Sequence, residues 1–425
     1  MSEEKDLYEG MLAKAATLIP GACVGQVLPY PAHGPIFVRG LGSRVWDTRG
    51  GSYIDFAMGS GPMFLGHAHP EVVEAVRAQA SQGSTFYALT PPAVQLAEKI
   101  VQASSAGDAI RFQTTGAEAT QAAIRIARAA TERQKIIKFN GSWHGTYDIA
   151  LTSVGEGGAV VADSAGLPHS ATTDILIAEY NDESSLQQLL HANAGDVAAI
   201  IVEPVQRGIA PADGFLNYTK AAAERAGVLL IFDEVVTGFR LAWGGAQELY
   251  GVKPDLACYG KVIGGGYPIS AVVGARELVS LGDPVNKGSS KYVFMGGTLT
   301  GNPVSSAAGL ATLEILQRSS PYAAVNQLAG GFADGIRDAA VCAGVHLHVT
   351  QVGSIIQLYF GDIGLVKNAG DAARADLGAG KTFAKLLLER GIFSVPNAKF
   401  YVSVAHSSED IDQTLESVRF VLKRM

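Results

Sequence analysis

Two side chains of complementary chemistry stand at the ends of apolar runs in this sequence. Leu229-Leu230-Ile231-Phe232 runs into the carboxylates Asp233 and Glu234, and Cys258-Tyr259-Gly260 runs into Lys261, soon followed by Gly264-Gly265-Gly266. A lysine withdrawn from water loses its preference for the ammonium form, and its amine becomes available for Schiff-base chemistry. A buried carboxylate suits a protonated ring nitrogen, the arrangement that an electron-withdrawing cofactor requires. The glycines read as a place where backbone comes close to something planar or bulky. An anion would sit at Gln113-Thr114-Thr115-Gly116-Ala117-Glu118-Ala119, a strand, a hydroxyl-glycine turn and a helix start, where free N–H groups and the helix dipole favour negative charge. The segment is neither GxxxxGK[ST] nor GxGxxG, so nucleoside triphosphates and dinucleotides lack their fingerprint. Taken singly, Asp233 reads equally well as a helix cap and Lys261 as a solvated strand end. The pair in context tips the balance toward chemistry.

Such groups need a scaffold, and the chain supplies one by alternation. Helical patterns at 70–83, 92–104, 117–131, 184–192 and 216–226 alternate with apolar runs at Ala109–Gln113, Lys135–Phe139, Ile175–Tyr180, Val197–Val202 and Val228–Phe232. Strands apolar on both faces, separated by helices, predict an α/β domain with a mainly parallel sheet of the seven-stranded type. Ahead of it, Arg44–Asp47 and Tyr53–Phe56 flank Arg49-Gly50-Gly51 as a hairpin. Long helices follow from about Pro303 to Ala343, then short strands and a last helix, Ser408–Lys423, predicting a smaller α+β domain. The expected division is an N-terminal segment 1–60 packing with the small domain, a large domain 61–315 and a small C-terminal domain 316–425.

Composition narrows the function classes. The 425 residues are 48% hydrophobic and 17% charged with a formal net charge of −7, which excludes a disordered scaffold and disfavours a nucleic-acid partner. No long apolar stretch suggests a membrane span. Three cysteines without CxxC spacing form no disulfide framework and fit a reducing, cytoplasmic setting.

The motifs Arg44-Val45-Trp46-Asp47, Leu65-Gly66-His67-Ala68-His69-Pro70, Thr115-Gly116-Ala117-Glu118-Ala119, Trp143-His144-Gly145, Glu203-Pro204, Asp233-Glu234-Val235, Gly260-Lys261, Gly296-Gly297-Thr298 and Gly301-Asn302-Pro303 run over nearly the whole chain. In this order they resemble the class III aminotransferases, nearest to the glutamate semialdehyde aminomutase branch and the related amine and β-amino-acid aminotransferases. The resemblance implies the aspartate-aminotransferase-like fold and pyridoxal 5'-phosphate as cofactor. It implies that Lys261 forms the Schiff base, that Asp233 pairs with the pyridine nitrogen, and that Val235 and Trp143 pack on opposite ring faces. Thr115, Gly116 and Ala117 would hold the phosphate, with Thr298 reaching it from the neighbouring subunit of a homodimer. Glu203 and Gln206 would lie on the ring-hydroxyl side, and His144 would support or pack beside Trp143. Ala117 stands where the family usually carries a hydroxyl.

Substrate recognition departs from that pattern. Leu28 falls where the aminomutase has a carboxylate-binding arginine, and Gly25 lies near an arginine position of the β-amino-acid enzymes. The region Ser394–Lys399 lacks the second arginine of those enzymes. Ser60 and Gly61 occupy the loop where a tryptophan often lines the pocket, which reads as added room. Arg207 and then Lys399 are the cations left to meet a substrate carboxylate, although either would more often be solvated or structural. His67 and His69 have HxH spacing, but no third ligand is suitably placed for a metal. The expected activity is transfer of an amino group from an amine or non-α-amino acid donor to a keto acid, by a ping-pong route through Lys261. The alternatives are an intramolecular aminomutase, a nucleotide-dependent oxidoreductase and a cofactor-free binding protein.

Overall fold

The computed structural model describes residues 2–25, 34–396 and 398–425, with side chains from Tyr8 onward. Leu28 therefore lies outside the described residues. The chain divides into two compact units, one of 70–322 with 366–373, the other of the chain start to 69, 323–365 and 374 to the end. These boundaries fall at 69/70 and 322/323 rather than at 60/61 and 315/316, and a short segment of the late sequence returns to the larger unit.

In the larger unit seven strands lie side by side in the order Ala109–Gln113, Ser270–Gly274, Leu256–Tyr259, Leu229–Glu234, Val197–Val202, Lys135–Phe139, Ile175–Ala178. Every neighbouring pair is parallel except those made by Ser270–Gly274, which runs against both its neighbours. All residues of Val197–Val202, Leu256–Tyr259 and Ser270–Gly274 are buried, as expected for strands covered on both faces. The helix Gly116–Thr131 lays Ala119, Ala122, Ala123, Ile126 and Ala127 on Ile201, Ile231, Leu256 and Val272. Its many alanines favour helix and let its axis lie close to the strands. The helix begins at a capping box: the Thr115 hydroxyl accepts from Glu118 N, and the Glu118 carboxylate accepts from Thr115 N at 3.1 Å and Thr114 N at 2.7 Å.

The smaller unit contains the expected hairpin, Arg44–Asp47 antiparallel to Ser52–Asp55, extended by Phe37–Leu41 and by Ile392–Phe393. A second antiparallel sheet joins Leu347–Val352, Ile355–Phe360 and Lys399–Tyr401. Its core includes Phe56, Phe332 and Phe400 in mutual ring contact, with His406 stacked 4.3 Å from Phe56. Burial holds the His406 imidazole neutral, its pKa pulled down to about 4. No helix among the described residues is long and apolar enough to cross a membrane.

Candidate active site

The two carboxylates that end the strand Leu229–Glu234 have opposite fates. Glu234 is wholly buried and accepts from the Thr237 hydroxyl and from Ala246 N and Gln247 N. It caps the next helix, and burial raises its pKa. Asp233 instead faces His144, whose Nδ1 lies 2.7 Å from Asp233 Oδ2, while Val235 N donates to Oδ1 at 3.1 Å. His144 is itself buried, and its Nε2 has no partner among the described residues.

Lys261 does not end a strand, as its sequence setting suggests. The strand stops at Tyr259, and Lys261 opens a short 3₁₀ turn, Lys261–Gly264. Its φ of +48° is a left-handed conformation costly for a side-chain-bearing residue, and such strain concentrates at functional positions. The turn is seated on the helix Pro303–Ser319: a Cβ on Gly309 would collide with the Ile263 carbonyl, and one on Gly265 with the Thr312 hydroxyl. Gly265 thus serves contact with a helix rather than with a ligand. Burial draws the Lys261 ammonium pKa down to about 8; Asp233 and Glu203 oppose the shift, and Arg207 and Arg240 add to it.

Among the other predicted residues of the larger unit, Glu203 and Arg207 lie within electrostatic reach of this lysine. The Glu203 carboxylate receives Trp143 N at 2.6 Å and Arg207 N at 3.0 Å, fixing two loops at once. Gln206 donates to the Asn140 carbonyl at 2.5 Å and leaves its buried Oε1 unpartnered, as is the Ser142 hydroxyl. Val235 is flanked by glycines: a Cβ on Gly116 would lie 2.8 Å from it and one on Gly260 3.2 Å. Trp143 leaves 46% of its surface exposed. Arg207 is exposed with φ +56°, and Thr298 is exposed in the single chain.

The remaining predictions fall in the smaller unit. Ser60 and Gly61 belong to a turn in which Gly61 has φ +111°, so the backbone alone accounts for glycine there. Lys399 is almost wholly buried, its ammonium 6.0 Å from the centre of the Tyr401 ring. His67 pairs with Asp55 at 2.7 Å and packs so tightly on Gly40 that a Cβ there would sit 2.7 Å from its ring. Among the described residues no His, Cys, Asp and Glu cluster could hold a metal.

Three residues escaped the sequence reading. Arg240 is wholly buried and electrostatically coupled to Lys261; its signal was an arginine inside the apolar run Val235–Trp243. Ser270 donates to the Thr115 carbonyl at 2.6 Å, and Thr120 donates to the His144 carbonyl at 2.5 Å. Neither has a local signature. A cleft of about 920 Å³ lined by Asp108, Lys220, Glu224 and Asp255 lies at the amino end of Leu256–Tyr259, the wrong end for a ligand of an open α/β sheet, and its Lys220 is already paired with Asp255 and Glu224.

The site suits the cofactor expected from the motifs. The amides of Gly116 and Ala117 begin a 16-residue helix and have no partner among the described residues, as an anion holder requires. Asp233 offers a fixed carboxylate, and Val235 between two glycines offers a flat cradle. Gln206 Oε1 and the Ser142 hydroxyl are buried polar atoms awaiting a partner.

Comparison with known proteins agrees with this geometry. The family model "Aminotransferase class-III" matches residues 30–422. A glutamate-1-semialdehyde 2,1-aminomutase of Sulfurihydrogenibium azorense is 38% identical over 99% of this chain and 99% of its own. Among solved structures, an omega-transaminase from Sphaerobacter thermophilus superposes with TM-score 0.91 at 29% identity, covering 98% of this chain and 97% of its own. A β-phenylalanine aminotransferase from Variovorax paradoxus gives TM-score 0.87 at 27% identity, covering 99% and 94%. A nucleotide-dependent oxidoreductase is thereby set aside, and the chain belongs to the class III aminotransferases, enzymes of the aspartate-aminotransferase-like fold that work with pyridoxal 5'-phosphate.

Proposed function

We propose that this protein transfers an amino group from an amine or a non-α-amino acid to a keto acid by a ping-pong route, with Lys261 and Asp233 as its catalytic residues. When bound, pyridoxal phosphate supplies the electron sink that allows the C–H beside the substrate nitrogen to ionise. Lys261 Nζ, with a pKa near 8, would hold the cofactor as its attaching amine and is the base that would carry the proton. Asp233, held from behind by His144 and Val235, presents a negative charge to the ring N–H. Gly116 and Ala117 would donate their amides to the phosphate, with the Thr115 segment completing the turn. Glu203, which holds Trp143 N and Arg207 N, would position Trp143 to cover the ring, and Gln206 Oε1 would serve the ring-hydroxyl side.

The observation that carries the substrate class is the cation supply. Arg207 and Arg240 are the cations coupled to Lys261. Of the two only Arg207 is exposed, and the aminomutase arginine position is Leu28. A carboxylate left without a cation in such a site costs several kcal/mol, so one carboxylate can be served, that of the acceptor. An amine with no carboxylate near the reacting carbon then fits as donor. The test is a screen of amines, β-amino acids and α-amino acids in single half-reactions, read as loss of the visible absorption of the lysine-bound cofactor. Amines and β-amino acids are expected to discharge it fastest.

A second reading, intramolecular transfer in glutamate 1-semialdehyde, is favoured by the relative at 38% identity. Efficient isomerisation of that compound without any added acceptor would install it in place of the first.

A homodimer with shared sites completes the proposal. Phe86, Tyr87, Leu89, Phe294 and Leu299 are large and exposed, and an Asn302–Ser84 hydrogen bond ties their two segments together. Exposed apolar side chains of that kind suit an interaction surface, and Thr298, exposed in the same segment as Phe294 and Leu299, would be the residue that serves the phosphate of a second copy. Mixing a Lys261→Ala subunit with a Thr298→Ala subunit should restore activity, since one of the two sites then carries both groups. A fully active monomer in sedimentation would contradict this. The free cysteines fit a reducing cytoplasm.

A further inference from the structure

Thr120 lies in the second turn of the helix Gly116–Thr131 and is wholly buried. Its hydroxyl is 3.1 Å from the carbonyl of Gly116 and 3.1 Å from that of Ala117, contacts a helical threonine makes routinely. It is 2.5 Å from the carbonyl of His144, which is not local. A hydroxyl has one proton, and the shortest of the three contacts leads out of the helix. The same loop touches the helix again one residue later. Gly145 has φ +119°, and a Cβ there would lie 2.5 Å from the Ala117 Cβ and 2.7 Å from its Cα. The first helical turn, carrying the unpartnered amides of Gly116 and Ala117, and the loop carrying His144 are therefore in backbone contact, with the Thr120 hydroxyl as their hydrogen bond. From His144 the path continues through Nδ1 to Asp233, 2.7 Å away.

We propose that Thr120 is a positioning residue that joins the two ends of the cofactor site, so that seating an anion on Gly116 and Ala117 also sets the aim of Asp233 at a ring nitrogen. This rests on the pyridoxal phosphate reading of the site. The two ends then act as one recognition unit for a ligand that carries an anion and a protonated ring together, and each half of such a ligand tightens the binding of the other. Coupling of this kind is reciprocal and is measurable with the halves supplied separately.

The experiment uses apoprotein, unphosphorylated pyridoxal and inorganic phosphate. The dissociation constant of pyridoxal is measured by absorption with and without saturating phosphate, and turnover is not needed. In the unsubstituted protein phosphate should tighten pyridoxal at least fivefold. In Thr120→Val the factor should fall to near one, and in Thr120→Ser, which keeps the hydroxyl, it should return. Thr120→Ala is measured alongside, so that a valine too bulky for the site does not decide the matter. Loss of stability alone would weaken both affinities without changing their ratio. A wild-type factor of one, or a Val or Ala variant that keeps the wild-type factor, overturns the proposal. If equilibrium dialysis shows pyridoxal bound while the absorption change of attachment to lysine is missing, it is the cofactor reading that fails, a distinguishable result.

Discussion

Lys138 is buried and Lys261 half-buried in the same unit, and desolvation of their amines draws both pKa values down to about 8. They differ in what their amines touch. Lys138, in the strand Lys135–Phe139, donates to the carbonyls of Ala150 and Thr152 at 2.8 and 2.7 Å, and so ties the far end of the loop that carries Trp143 and His144 to the strand. The Lys261 amine has no hydrogen-bond partner among the described residues, sits on a left-handed backbone, and feels the charges of Asp233, Glu203, Arg207 and Arg240. The same desolvation therefore accompanies a structural clasp at Lys138, where acceptors are present, and at Lys261 leaves an amine free for the attachment proposed above. A depressed pKa identifies burial; partners decide the use.

That contrast can be broken most decisively at its reactive side. Lys261→Ala should keep the fold but abolish covalent cofactor attachment and reduce turnover by more than about 10³-fold. Lys138→Met should keep attachment. Borohydride reduction followed by peptide mass analysis reads both, and an adduct on any lysine other than Lys261 would reverse the assignment. Next in size, Asp233→Asn should retain the cofactor but slow the first half-reaction by roughly 10²-fold, because an amide cannot hold charge against a ring N–H. Single-turnover rates equal to wild type would remove Asp233 from the chemistry.

Arg207→Ala should raise the acceptor's KM about tenfold while leaving the amine donor's nearly unchanged, as steady-state kinetics with each substrate varied would show. A further effect is read on stability rather than on rate. Both amines have folded pKa values near 8, below the unfolded value of about 10.4. Below pH 8 they are charged in both states and the cost of burial is present in full. Between pH 8 and 10.4 the folded form binds fewer protons, so this contribution rises with pH. Denaturant titration of apoprotein across that window should show wild type gaining on Lys138→Met by up to about 3 kcal/mol, on the order of 1.36 kcal/mol per pKa unit. A constant difference would mean that the buried Lys138 keeps its proton throughout.

Much of the scaffold was legible because apolar periodicity reports burial. The helices at 70–82, 91–103, 116–131, 183–192 and 215–226 lie within a residue of the ranges read from pattern. Direction and pairing are another matter. Ser270–Gly274 follows Gly264–Gly266 and a proline as a short apolar piece, and nothing local says that it runs antiparallel between two strands. The Asp233–His144 pair spans 89 residues, and the Thr120–His144 bond is invisible to spacing. The Lys261 turn was misread as a strand end because a glycine and a lysine after an apolar run look alike in either setting.

The position of Ser270–Gly274 also places a demand on synthesis. It is the only sheet neighbour described for Ala109–Gln113, and the Ser270 hydroxyl meets the Thr115 carbonyl across 155 residues of chain. At ribosomal speeds of about 5–20 residues per second, the edge strand emerges roughly 8 to 30 s before its partner exists. During that interval Ile110 and Phe112 have no sheet to join, and the helix start that would receive the phosphate hangs from an unpaired strand. The proposed phosphate end of the site is thus the part of the larger unit that waits longest for its sheet partner, and free cofactor could not help to fold it until the strand from Ser270 has been made.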